Sequence, residues 1–247
     1  MLAALRSEFR KLLSVRSTYF IVGASLLIVA FFAGFIEGVR NNPASLQRPD
    51  LLMSESTNAI VFVGLILAFA GLLLVGHEYR YSTIMYTLTS SNRRYKTLVA
   101  KLLVVSTFAI VTSLIVTFFS PLCTIIGAHL QGNTVGPQVF NYWSVVWRCV
   151  FCGWGYAVYA FLLIAILRNQ VGAIVTFLLI PLIGENILGQ LLKNNMKYLP
   201  FNAVQSVASP TGLGNHTTSG HEAIVVLVYV AIGLAISAIL FVRRDAN

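Results

Sequence analysis

Long apolar segments separated by polar connections make up most of this chain. Six of them are long enough to cross a bilayer, at residues 18–36, 57–76, 102–128, 149–167, 169–192 and 223–242. A membrane-spanning helix needs about 20 apolar residues to cross about 30 Å of hydrocarbon. None of the segments shows the alternating pattern of a barrel strand. Because lipid offers no partner for backbone polar groups, the segments predict an all-α fold with six transmembrane helices.

The N-terminal region combines an apolar segment with an amphipathic one. The apolar segment 18–36 competes with a signal peptide, but it is longer than the usual core of about 7–15 residues, and no small-residue cleavage pattern follows it. We therefore interpret it as a mature helix. Before it, residues 1–17 place Leu2, Leu5, Phe9, Leu12 and Leu13 at helical spacing among charged residues. This pattern predicts an amphipathic cytoplasmic helix, either as an interfacial anchor or as a docking element for a partner.

The basic residues indicate the orientation of the chain. The formal net charge is +9, from 17 Lys and Arg against 8 Asp and Glu. With both termini in the cytoplasm, twelve of the seventeen basic residues fall on the cytoplasmic side, as the positive-inside rule favours. Arg243 and Arg244, which follow the sixth segment, serve as topology anchors in this interpretation. Contact with anionic membrane lipid is a secondary role. Nucleic-acid binding is not expected, because no recognisable module for it is present.

The connections are too short to hold a second folded core, so the chain is predicted to be a single membrane domain over residues 1–247. Residues 77–101 form the longest cytoplasmic connection, with tyrosines and apolar residues among charges. Such a composition suits a protein interface, although an aromatic belt at the level of the lipid headgroups is the alternative. Residues 193–222 form an outer loop. A short interfacial helix in this loop is predicted to turn apolar side chains to the membrane, namely Leu199, Phe201, Val204 and Val207.

Glu185 is the charged residue within the six apolar segments. An ionisable group at membrane depth is costly and usually faces the bundle interior or a water-filled cavity. Glu185 lies seven residues from the end of its segment, which is about 10 Å along a helix, and Pro181 just before it is predicted to kink the helix. Two interpretations stay open. Glu185 is either a gate, substrate contact or proton-linked site, or a structural partner of a group such as Arg148 or Lys193. Both interpretations predict that it faces protein.

Small residues at four-residue spacing predict close helix packing in three segments. The pairs are Gly64 with Ala68, Gly153 with Ala157, and Ala231 with Ala235. Small pairs of this kind are common in membrane bundles, so we interpret them as packing within the chain, with dimer contact as the alternative.

The cysteines and histidines do not predict a metal site or a cofactor. His216 and His221 lack the usual zinc-ligand spacing. Cys123, Cys149 and Cys152 all fall toward the outer side, where an oxidising compartment permits a disulfide from Cys123 to one of the others. The favoured alternative is three free thiols packed in the helices.

Sequence patterns of soluble enzymes are missing as well. The chain contains no G-x-x-x-x-G-K-[ST] phosphate loop and no H-E-x-x-H motif, and no paired carboxylates lie at membrane depth. We therefore expect no enzymatic activity in this chain, no bound cofactor, and no ATP binding except on a partner.

Taken together, the chain resembles the membrane subunit of a type-2 ATP-binding-cassette exporter. The opening residues 8–13 (EFRKLL) ahead of Arg16 are similar to that family's amphipathic start. Residues 78–84 (EYRYSTI) are similar to its cytoplasmic loop between spans two and three, and residues 241–245 (FVRRD) to its exit from span six. The resemblance covers the whole chain in length, order of spans and topology.

The resemblance implies a permease that works with a separate ATP-binding subunit. By this likeness, residues 77–101 contain the coupling helix, and the residues that contact the ATPase are His77, Glu78, Tyr79, Arg80, Thr83 and Ile84. Two permeases, as a homodimer or heterodimer, pair with two ATPases in the plasma membrane of a bacterium or archaeon, and the substrate passes between the permeases. Its identity is open among a drug, peptide, lipid or ion.

Two other classes of function compete with the exporter. An ion-gradient-driven transporter would use Glu185 as its coupling residue, although no inverted repeat with broken helices is visible. A membrane scaffold without transport activity is the third class, and it predicts neither ATPase stimulation nor substrate flux.

Overall fold

The computed structural model describes residues 2–39, 59–80, 94–133, 142–208 and 219–243, and no strand occurs in these ranges. The first half contains α1 (Leu2–Ser14), α2 (Arg16–Val29), which continues as a π-helix (Ala30–Val39), α3 (Ile60–Arg80) and α4 (Arg94–Leu130). The second half contains α5 (Tyr142–Leu167), α6 (Gln170–Leu179), a π-helical turn (Ile180–Gly184), α7 (Glu185–Leu192), a 3-10 helix (Lys193–Tyr198), α8 (Pro200–Ala208) and α9 (Ser219–Arg243). The all-α prediction is confirmed.

Six helical stretches of the described residues are long and apolar enough to cross a membrane. They are Arg16–Ile36, Ile60–His77, Thr97–Leu130, Val145–Leu167, Gln170–Leu192 and Gly220–Leu240. Each overlaps one predicted segment, and the boundaries differ by a few residues. The third stretch has 34 residues, more than the roughly 20 that a bilayer requires, so α4 is long enough to extend beyond the hydrocarbon. The chain is thus a multi-pass membrane protein.

The spans formed by α3 and α5 make the centre of the bundle. In their most apolar stretches 56% and 67% of residues are buried, against 17% in each of the fifth and sixth spans. Glycine permits the close approach, because a Cβ on Gly71 would lie 2.7 Å from the carbonyl oxygen of Ala157. A Cβ on Gly64 would likewise lie 2.5 Å from the ring of Tyr156. The predicted packing role of the small residues in these two spans is therefore confirmed.

The pair of small residues in the sixth span does not pack against the bundle as those of the two central spans do. Ala231 and Ala235 are exposed on α9. The tight contact of α9 is instead at Gly233, where a Cβ would lie 2.8 Å from Cδ1 of Leu162 on α5. The prediction that this alanine pair packs within the chain is wrong, because the small residue that faces α5 is the glycine between the two alanines.

The ends of several helices meet on the side that carries α1. Arg168, in the tight connection between α5 and α6, donates from Nη2 to the carbonyl oxygen of Leu240 at 2.8 Å. The next residue, Asn169, caps α6 by accepting a hydrogen bond from the backbone N–H of Gly172 at 3.1 Å. Arg168 itself has a φ of 54°, a left-handed conformation that reverses the chain within two residues. The ends of α5 and α9 and the start of α6 therefore share one side of the bundle, as six crossings require.

The fifth span is interrupted where the sequence predicts a kink. Its helix widens to a π-helical turn at Ile180–Gly184, which contains Pro181. Proline has no N–H to donate to the preceding turn, and π-helical turns inside helices often accompany such a local loss of hydrogen bonding. The helix resumes as α7 at Glu185. The turn thereby places Glu185 at the start of a new helical segment.

The short helix predicted in the outer loop is present as α8, but its apolar face does not point to the membrane. Phe201 is 4% exposed, and Val204 and Val207 are fully buried. α8 packs against α5 and α9, and a Cβ on Gly155 of α5 would lie 3.1 Å from the side chain of Val204. The prediction of membrane-facing side chains is wrong, because these residues complete the protein core at this end of the bundle.

Candidate functional site

The predicted partner-docking segment, residues 77–101, connects the two helices α3 and α4. α3 ends at Arg80 and α4 begins at Arg94, so the structure places the first predicted contact residues in the last turn of α3. The backbone of Glu78, Tyr79 and Arg80 is described, whereas their side chains and all of Thr83 and Ile84 lie outside the described residues. The start of the segment is thus continuous with a central helix of the bundle.

His77 is the predicted contact residue whose side chain is described. It is half-buried and lines a cavity between the end of α3 and the bend that joins α1 to α2. Residues of both α1 and α2, including Lys11 and Thr18, line the same cavity. The structure thus brings His77, the residue just before the 78–84 motif, next to the N-terminal segment, which is another of the three regions that carry the family resemblance.

Glu8 of α1 ties this helix to α4 through a buried ion pair. Its Oε2 accepts a hydrogen bond from Nζ of Lys101 at 2.8 Å, and its Oε1 accepts one from Nζ of Lys11 at 2.8 Å. Glu8 and Lys101 are each 3% exposed. Burial alone would raise the pKa of the Glu8 carboxyl, but the charge and hydrogen bond of Lys101, followed by those of Lys11, lower this pKa below its ordinary value.

The Glu8–Lys101 pair was not predicted from the sequence. The two residues are separated by 93 positions, so no local spacing reveals the contact. The sequence does contain one indication of the pair. Glu8 lies on the predicted amphipathic helix and Lys101 lies next to a span, and the predicted topology places both on the cytoplasmic side. Such groups are stable away from water only when paired. The pair attaches α1 to α4 close to the point where α4 leaves the docking segment.

Glu185 caps the N-terminus of α8. Its Oε1 accepts a hydrogen bond from the backbone N–H of Phe201 at 2.7 Å, and its Oε2 accepts from the backbone N–H of Asn202 at 2.7 Å and from the side-chain amide of Asn202 at 2.6 Å. Pro200 is the first helical residue, so these amides are the second and third of α8, the positions that an N-cap side chain normally serves. The preceding residue, Leu199, has no side-chain acceptor, and Glu185 supplies one from the neighbouring helix.

The position of Glu185 fits the structural interpretation. It is 3% exposed, so the prediction that it faces protein is confirmed. Its partners are the start of α8 rather than Arg148, and the side chain of Lys193 lies outside the described residues. A helix N-terminus carries a partial positive charge, which makes it a suitable partner for a carboxylate. A role as a gate stays a prediction.

An aromatic cluster holds the capped end of α8 against the bundle. The ring of Phe201 lies 5.3 Å from that of Phe177 on α6, and 5.8 and 5.5 Å from those of Tyr156 and Tyr159 on α5, measured between centroids. These separations fall in the range of favourable aromatic pairs. The cap and the cluster together fix α8 to three elements of the bundle, namely α5, α6 and α7.

The predicted cysteines are all described, whereas the other predicted groups are described only in part. Cys123, Cys149 and Cys152 are free thiols and are all buried, which agrees with the favoured alternative to a disulfide. Among the described residues, no group of three or more His, Cys, Asp or Glu side chains is placed to hold a metal ion. The helix α9 ends at Arg243, whose side chain lies outside the described residues together with all of Arg244. Three carboxylates are buried among the described residues, namely Glu8, Glu185 and Glu222, and the first two join helices.

Comparison with known proteins identifies a family likeness over most of the chain. A family model described as ABC-2 family transporter protein matches residues 4–184. The match includes most of α1, the docking segment, the first four spans and the fifth span as far as Gly184. No curated protein matches the chain significantly.

Proposed function

Because the chain belongs to the ABC-2 family of transporter proteins, we propose that it is the permease subunit of an ATP-driven exporter. Its spans form the path for the substrate, and a separate ATP-binding subunit hydrolyses ATP. The observation that carries the proposal is the continuity of α3, which runs through the bundle centre and ends at Arg80 inside the docking segment. A movement imposed on the segment by a partner acts directly on one of the two helices at the centre of the bundle.

The attachment of α1 adds a second route for such a movement. The docking segment leads into α4, and Lys101 of α4 is ion-paired with Glu8 of α1. A closely packed interior transmits displacement rather than absorbing it. A partner that closes on ATP would therefore shift α3, α4 and α1 together, which is the requirement for opening a path between two permeases.

Assembly and setting follow from the same proposal. Two copies of the permease pair with two ATP-binding subunits in the plasma membrane of a bacterium or archaeon, with both permease termini in the cytoplasm. The pairing is a homodimer if no related chain is co-expressed. The substrate belongs to the classes that an apolar path accepts, such as an amphipathic peptide, a hydrophobic drug or a lipid. Passage of an ion would require polar groups along the path from both permease copies.

Substitutions in the docking segment test the proposal. Glu78→Ala and Arg80→Ala are expected to lose transport and ATPase stimulation while the protein still inserts in the membrane. Glu55→Ala and Arg48→Ala are matched controls, because they remove the same charges from the connection between the first two spans, which lies outside when both termini are cytoplasmic. The readouts are membrane insertion and the ATPase rate of the co-purified complex. Normal export by Glu78→Ala and Arg80→Ala would remove these residues from the coupling assignment.

The ion-gradient alternative gains no support from Glu185. Both of its carboxylate oxygens already accept hydrogen bonds from α8, so a structural task accounts for its place in the span. Transport that continues without an ATPase partner and stops when the proton gradient is collapsed would favour the alternative.

A further inference from the structure

Two cavities of different polarity meet at the bend between α1 and α2. A polar cavity of about 450 Å³ is lined by Arg6, Ser7, Arg10, Lys11 and Ser14. A second cavity of about 220 Å³ lies between the bend and the end of α3, and its apolar wall includes Ile21, Ala70, Leu73 and Leu74. Lys11 and Ser14 line both cavities. The bend therefore presents a polar site and an apolar site side by side, separated by the same two residues.

The polar cavity is suited to an anion. Its lining contains three basic side chains and two hydroxyls and no carboxylate. The nearby acidic residue, Glu8, is buried and ion-paired with both Lys101 and Lys11, so Arg6 and Arg10 on the exposed face of α1 are the basic residues of the cavity that it leaves for an anion. Guanidinium groups bind phosphate through paired hydrogen bonds, and hydroxyls add further donors.

The bend lies at the boundary of the membrane-spanning stretches. The first stretch begins at Arg16, directly after the bend, and the second ends at His77, which lines the apolar cavity. Ser14 and Val15 are exposed at the bend, so the shared edge of the two cavities is open to the surroundings. Lipid headgroups occupy this level of a bilayer, with acyl chains directly below them.

We propose that the bend between α1 and α2 is a binding site for an anionic phospholipid. The lipid phosphate is held by Arg6 and Arg10, beside Lys11, which stays ion-paired with Glu8. The upper part of one acyl chain lies against Ile21, Leu73 and Leu74. The apolar cavity is smaller than the roughly 300–1,000 Å³ of sites that enclose a drug-sized molecule, so only part of a chain enters it. Basic pockets between helices on the cytoplasmic side are known to suit acidic headgroups. The bound lipid bridges α1 and α3.

The test measures retention of defined lipids by the purified full chain. The protein in a mild detergent is titrated with phosphatidylglycerol or phosphatidylcholine, and bound lipid is counted by native mass spectrometry. Arg10→Gln removes a charge from the polar cavity, and Arg16→Gln is its matched control, because Arg16 is an exposed neighbour that lines neither cavity. Ala70→Phe fills the apolar cavity without altering charge, and Ala235→Phe is its control on the exposed face of α9.

The proposal expects phosphatidylglycerol to bind more tightly than phosphatidylcholine. Arg10→Gln should weaken phosphatidylglycerol binding about fivefold, as expected for one basic side chain near a headgroup, and Ala70→Phe should weaken it by a similar factor. Both controls should bind like the unaltered chain. Equal binding of the two lipids would overturn the proposal, as would equal losses in Arg10→Gln and Arg16→Gln, which indicate diffuse attraction. If inorganic phosphate displaces phosphatidylglycerol and Ala70→Phe does not weaken its binding, the site recognises phosphate alone and the assignment to a lipid is overturned.

Discussion

Replacing Glu185 by alanine is expected to release the N-terminus of α8. The substitution removes the acceptor of hydrogen bonds at 2.7, 2.7 and 2.6 Å to the two backbone amides and the side chain at the start of α8. Phe201 is 4% exposed, so water does not readily replace the carboxylate at its N–H. The change therefore leaves buried donors without a partner and removes the cap of a nine-residue helix.

The size of the effect follows from the groups that lose their partner. A buried donor left unsatisfied costs about 1–3 kcal/mol, and loss of an N-cap costs about 0.5–2 kcal/mol. Because these costs overlap, we expect Glu185→Ala to destabilise the closed position of α8 by about 2–4 kcal/mol. Glu185→Gln keeps one oxygen acceptor and should lose about half of this amount.

Hydrogen exchange followed by mass spectrometry measures this opening locally. A loss of 2–4 kcal/mol corresponds to exchange about 30- to 900-fold faster for amides of residues 201–208. The control is Gln190→Ala, which alters an exposed residue of α7. If Glu185→Ala accelerates exchange in α8 no more than Gln190→Ala does, the cap does not hold α8 and the structural role of Glu185 is refuted.

Three further predictions concern packing, pH and thiols. Gly71→Ala should destabilise the protein by about 1–3 kcal/mol, because its Cβ meets a backbone oxygen at 2.7 Å. Gly23→Ala, with nothing within 4 Å, should raise the thermal midpoint slightly, and equal midpoints for the two variants would contradict the packing argument. The lowered pKa of Glu8 means that its stabilisation is present above the ordinary value of 4.5 and is lost as the pH falls through the lower folded-state pKa. Glu8→Gln should therefore lower the midpoint at neutral pH and flatten its fall in acid, whereas an unchanged pH profile would show that the ion pair contributes no stability. All three cysteines should react with an alkylating reagent in denatured, unreduced protein and react slowly in folded protein; a single reactive thiol after denaturation would indicate a disulfide.

The spans are the part of the fold that the sequence predicts best. Hydrocarbon imposes one requirement on every crossing, an apolar helix of sufficient length, and this requirement is visible in each segment alone. Because every segment is apolar, the sequence does not show which side of α8 faces the protein. Phe201, Val204 and Val207 are apolar whether they face lipid or protein, so their pattern predicts the helix without predicting what covers it.

The sequence identifies the individual residues of the candidate sites but not the partners that they contact. Glu185 stands out as a charge in a span, and Glu8 as an acid in a basic amphipathic helix. Their partners are distant in sequence, at Phe201 and Asn202 for Glu185 and at Lys101 for Glu8. Pro200 at a helix start offers a hint, since the following amides need an acceptor that Leu199 lacks. Which carboxylate supplies it depends on tertiary packing.

Purification of the tagged chain from native membranes in a mild detergent, with mass spectrometry of the bound proteins, tests the proposed function most directly. We expect a stoichiometric subunit with ATPase activity, and we expect Arg80→Ala to reduce its recovery while the control Arg48→Ala does not. Reproducible absence of an ATPase from intact, folded protein would contradict the permease assignment and favour the gradient-driven transporter or the scaffold.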